Sequence, residues 1–178
     1  MGENIQRVFD LIEKGRKNKD SYKDEKQIKD LLYDFVDNCP SKRGPEYSKK
    51  FSDYGFCCGA DYGKYKRKIF EIFPQLKDNF KQIKSPDKIE NYTQNILQVY
   101  NEKKTAVYFV KGKYGEIDTL FQKIRNAFAH KNYFEKDGYY IIWNYGKSSH
   151  KISCFRKLKY RQLIEIFELL KDKSYRQN

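Results

Sequence analysis

Ile117, Leu120, Phe121, Ile124 and Phe128 fall at i, i+3, i+4, i+7 and i+11, the spacing that lines apolar side chains along one face of an α-helix. A helix with such a stripe must bury it against another element, so this segment predicts a packing layer. At about 100° per residue, Asn126 and His130 lie roughly opposite the stripe and Arg125 lies on its flank. Thr119 and Lys123 are expected to share the far face with them. The helix therefore reads as having a core side and a chemical side.

The same spacing recurs elsewhere. Ile5, Val8, Phe9 and Ile12 predict a helix over residues 3 to 15, with Gly15 as its stop. Ile28, Leu31, Leu32 and Phe35 predict a second over 24 to 37, closed by Asn38-Cys39-Pro40. Residues 40–63 lose periodicity and collect Gly, Pro, Ser and Tyr, which reads as a long loop. Ile69, Ile72, Phe73, Leu76, Phe80 and Ile83 resume helical spacing, with Pro74 imposing a kink or a break. Ser85-Pro86-Asp87 reads as a helix start ahead of Ile89, Tyr92, Ile96, Val99 and Tyr100. Residues 105–110 suit either a strand or more helix.

After His130 the period drops to two. Asp137-Gly138 is a hairpin turn signal between Tyr133–Glu135 and Tyr139–Tyr145, so residues 131–146 predict a hairpin. Leu163, Ile164, Phe167 and Leu170 mark a last helix near 160–171, and residues 173–178 read as a frayed tail. The sum predicts a single domain over 1–178, mainly α: a helical bundle with a β-hairpin inserted before the last helix.

The chain carries 37 Lys+Arg against 24 Asp+Glu, a net charge of +13. That balance favours a polyanionic partner such as nucleic acid, RNA included, or an anionic membrane surface, and the 16 Tyr and 13 Phe argue for a folded chain. No apolar run approaches the ~20 residues that span a bilayer, and the N-terminus opens directly into a helical pattern. A cytoplasmic protein with no membrane partner is expected. Cys39, Cys57, Cys58 and Cys154 form neither a disulfide framework nor a zinc spacing. No metal and no cofactor are expected. Gly112 and Gly115 flank a turn without the residue order of a phosphate-cradling loop.

Arg125-Asn126-Ala127-Phe128-Ala129-His130 resembles the Rx4-6H signature of the HEPN domain family. The order of predicted elements is similar too, with the motif on a late helix followed by a hairpin and one more helix. The closest resemblance is to small stand-alone prokaryotic members. The resemblance implies a HEPN-like helical bundle and a metal-independent endoribonuclease acting as a toxin or an abortive-infection effector against phage. It also implies a homodimer with the motif at its interface, and a possible antitoxin partner. The alternative it leaves open is a non-catalytic RNA- or protein-binding module, possibly the partner of a nucleotidyltransferase antitoxin. One subgroup carries a tyrosine two residues after the histidine, where this chain has Asn132.

The residue types suit that chemistry. Metal-free RNA cleavage needs a base for the 2′-hydroxyl, an acid for the leaving 5′-oxygen and positive charge at the phosphorane. An imidazole, with an ordinary pKa of about 6.5, serves either proton transfer, which assigns His130. Arg125 offers a fixed bidentate charge for the phosphate oxygens. Asn126, one turn before His130, is placed to hold the imidazole or orient the substrate. Lys123, Lys131 and Tyr133 are the expected substrate contacts. His150, in a Ser/Lys loop, is read as incidental.

Overall fold

The computed structural model describes residues 3–17, 25–40, 49–113, 115–145 and 152–176. Its helices are α1 (Glu3–Lys17), α2 (Glu25–Leu32), α3 (Gly59–Ile72), α4 (Thr93–Asn101), α5 (Glu116–Ala129) and α6 (Tyr160–Lys171). A π turn over Tyr33–Asp37 extends α2. The strands are β1 (Phe80–Ile83), β2 (Ala106–Val110), β3 (Tyr133–Lys136), β4 (Tyr139–Tyr145) and β5 (Ile152–Lys159). They form one mixed sheet in the order β1-β2-β5-β4-β3, with β1 and β2 parallel and every other pair antiparallel.

This overturns the mainly helical bundle. The Asp137-Gly138 turn does join two antiparallel strands, yet these are two of five, and the fold is α/β. The sheet is covered on both sides. Val107, Phe109, Tyr140, Ile142 and Cys154 face a core shared with α2, α3, α5 and α6. Tyr108, Ile141, Trp143 and Phe155 face a second core built with α1 and α4. Strands buried on both faces read as unbroken apolar runs, not as alternation, and β2 is buried at every position.

Two strands escaped helical reasoning for definite reasons. Phe80 and Ile83 are three apart, which suits one helix face. In β1 the same separation sends them to opposite faces, and each enters a different core. Strand β5 contains Arg156 and Lys157, which look like solvated positions but are buried at the centre of the sheet. Lys157 Nζ donates to Val99 O at 2.9 Å, to Tyr100 O at 3.1 Å and to Glu102 O. It thus satisfies the carbonyls at the end of α4.

Smaller corrections follow the same logic. Gly15 does not stop α1, which runs on to Lys17. It lies against the Phe134 ring of β3, so closely that a Cβ there would collide with the ring. Within the stretch read as loop, Phe51–Tyr54 forms a 3-10 turn and α3 begins at Gly59; residues 41–48 lie outside the described residues. Pro86–Tyr92 is a 3-10 turn leading into α4. Among the described residues no helix is long and apolar enough to cross a membrane.

Candidate functional site

Helix α5 lies across the sheet from β5 to β3. Arg156 on β5 donates to Leu120 O, Lys123 Nζ donates to Ser153 Oγ on β5 at 2.8 Å, and Phe128 packs on Tyr133 of β3 with ring centroids 4.8 Å apart and the planes tilted by 45°. On its other side Phe121 and Phe128 meet Phe35 of the π turn. The helix is therefore buried around more of its circumference than a simple amphipathic stripe requires. Asn126, Ala129 and His130 at its C-terminal end are exposed, and Arg125 is half-buried.

That end is held by two devices. His130 is the C-cap, and its N–H donates to Asn126 O at 3.0 Å. Lys131 follows with φ +54°. Its N–H reaches Phe128 O at 3.1 Å, and the N–H of Asn132 reaches Ala127 O at 2.8 Å. These paired bonds are the Schellman termination, which usually places glycine where Lys131 stands. The second device is Asn144 on β4. With its amide oriented to satisfy both neighbours, the nitrogen donates to Lys123 O at 2.7 Å and the oxygen accepts from Ala127 N at 3.1 Å. A buried amide thus ties the last turn of α5 to the sheet.

Arg125, Asn126, His130 and Lys131 follow one another at this end of α5, with Asn126, His130 and Lys131 exposed and Arg125 half-buried. Among the described residues the side chains of Arg125, Asn126 and His130 engage no hydrogen-bond or ion-pair partner. The Arg125 guanidinium acts on the Cys39 thiol, pulling down a pKa that burial pushes well above its ordinary value. Arg125 therefore stands near the Asn38–Cys39 turn that closes the π segment.

Lys123 and Tyr133 are placed elsewhere. Lys123 is wedged between α5 and β5 with its ammonium on Ser153, and burial lowers its pKa. Tyr133 is buried in the core. Thr119 is buried as well, its hydroxyl accepting from Gly112 N at 3.3 Å and donating to Gly115 O at 2.9 Å to close the turn before α5. His150 lies outside the described residues. Sequence reasoning missed Asn144, Ser153 and Arg156 as supports of the site. The only signal available was an amide set among the apolar residues of β4.

Comparison with known proteins decides nothing further. No protein family, curated protein or solved structure matches the chain. With the bundle replaced by an α/β sandwich, the likeness to HEPN proteins rests on Arg125–His130 and their place at a helix end.

Proposed function

We propose that this protein is a metal-independent endoribonuclease for single-stranded RNA, with two copies of the α5 end forming one active centre. The observation that carries the reading is the pairing of exposed Asn126 and His130, one turn apart, with a neighbouring guanidinium that no carboxylate of the described residues neutralises. An uncompensated cluster of this type suits a dianionic phosphorane, and the two devices at the helix end fix the backbone that carries it. The net charge of +13 supports the choice of a polyanionic substrate.

One imidazole takes the proton of the 2′-hydroxyl as its oxygen attacks phosphorus. The bond from phosphorus to the 5′-oxygen breaks, and a second imidazole protonates that oxygen. The products are a 2′,3′-cyclic phosphate and a 5′-hydroxyl. Arg125 neutralises the non-bridging oxygens while Asn126 orients the ring or the ribose. Each chain supplies one His130, so the second comes from another copy related by a two-fold axis. Exposed Tyr33, on the π turn packed against α5, is available to that contact. A toxin or phage-defence role, restrained by a partner protein, is consistent with this chemistry.

The test is cleavage of single-stranded RNA in excess EDTA, with end-group analysis and solution mass. Wild type is expected to cut as a dimer, and His130→Ala to lose roughly 10²–10⁴-fold in rate. Equal behaviour of wild type and His130→Ala would leave an RNA-binding module without catalysis.

A further inference from the structure

A second site lies away from the α5 end and shares no residue with it. A cavity of about 790 Å³ opens where β2 begins, β5 ends and α6 starts. Its volume falls within the range of small-ligand sites, roughly 300–1,000 Å³. Lys103, Lys104, Lys159 and Arg161 line it, against the carboxylates of Asp78 and Glu165. Lys104 is tied to Glu102 and Arg161 to Glu165, each at 2.6 Å. Lys103 and Lys159 pair with no carboxylate among the described residues, and Lys159 Nζ sits 5.6 Å from the centroid of the Tyr139 ring.

Two observations point to an anion and a third to an organic group beside it. Helix α6 starts against the usual rule: its N-cap is Lys159, Arg161 stands in the first turn, and no acidic residue does. Cations at the positive end of a helix dipole are unfavourable unless negative charge arrives. Second, Thr105 lines the same cavity and is 5 % exposed, yet its Oγ1 has no partner. A buried hydroxyl left without a partner is costly and calls for one. Third, the lining includes apolar side chains: Ile72, one of the two exposed large apolar side chains among the described residues, and Phe73 at the end of α3.

We propose that this cleft binds a phosphate ester. The phosphoryl group lies against the N-terminus of α6, Lys103 and Lys159, with the Thr105 hydroxyl as a further donor. The organic group rests on Ile72 and Phe73. The shared chemistry admits two sources, a free small phosphate ester and a phosphodiester of a bound RNA strand.

Binding of phenyl phosphate, inorganic phosphate and a short oligouridylate is measured by calorimetry on wild type, Lys103→Glu, Lys159→Glu, Thr105→Val and His130→Ala, each checked for folding by circular dichroism. Phenyl phosphate is expected to bind wild type more tightly than inorganic phosphate. Each charge reversal should weaken it roughly tenfold or more, Thr105→Val should weaken it without loss of thermal stability, and His130→Ala should leave it unchanged. If only the oligouridylate responds to the charge reversals, the occupant is the RNA backbone. If no probe binds wild type, or the reversals change neither affinity, the proposal falls. RNA cleavage by the α5 end is read separately and stands or falls on His130→Ala.

Discussion

Asn144 on β4 accepts a hydrogen bond from the backbone N–H of Ala127 on α5 at 3.1 Å, while its amide nitrogen holds Lys123 O. This buried side chain thereby ties the last turns of α5 to the sheet and, with the helix termination at Lys131, helps to place Asn126 and His130. Replacing Asn144 by Ala is expected to cost about 1–3 kcal/mol and to speed hydrogen exchange at the Ala127 amide. Unchanged exchange there would show that the amide does not hold the helix.

Lys131 pays a conformational cost at φ +54°, a region that disfavours a residue with a Cβ by about 1 kcal/mol. Lys131→Gly is expected to raise the melting temperature by relieving it. The same change removes an exposed charge beside His130, so RNA affinity should fall and its salt dependence become shallower. Stability and affinity moving in opposite directions is the signature; a loss of both would mean that the side chain supports the fold.

The Lys123 ammonium has its pKa lowered by burial first; neighbouring Cys154 raises it, and Arg156 lowers it further. Because the folded value lies below the ordinary 10.5, the unfolded chain binds the proton more tightly, and the desolvation cost is greatest below the folded value. That cost fades as pH climbs from the lowered value to 10.5. Lys123→Met is therefore expected to match or exceed wild-type stability near neutrality, and the difference to move against the variant toward alkaline pH. Urea midpoints at the two conditions test it. A variant that unfolds sooner at neutral pH would show that the bond to Ser153 outweighs burial.

Cys39 and Cys154 are buried while Cys57 and Cys58 are exposed, and burial raises the pKa of both buried thiols. A thiol reagent should label Cys57 and Cys58 rapidly in the native protein. Labelling of the buried pair should keep pace with unfolding, as read by mass spectrometry of quenched samples. Fast modification of Cys39 would mean that the turn beside Arg125 opens without global unfolding.

The local elements were readable because their signals are local. The stripe from Ile117 to Phe128 and the run from Leu163 to Leu170 specify helices wherever they are buried, and the Asp137-Gly138 turn specifies a hairpin through its own φ preferences. The exposure of Asn126 and His130 followed from helical phase alone. Lys123 did not follow, because phase does not say that a sheet covers that side of α5.

What the residue order determined by itself is the set of amphipathic segments, the hairpin, and a polar, cationic end to one helix. The tertiary structure alone decided that β1, β2 and β5 exist as strands and that helices cover both faces of one sheet. The physical reason is that Arg156 and Lys157 are buried through acceptors distant in the chain, Leu120 O for one and Val99 O and Tyr100 O for the other. A charged residue in sequence carries no mark of whether water or a remote carbonyl will satisfy it.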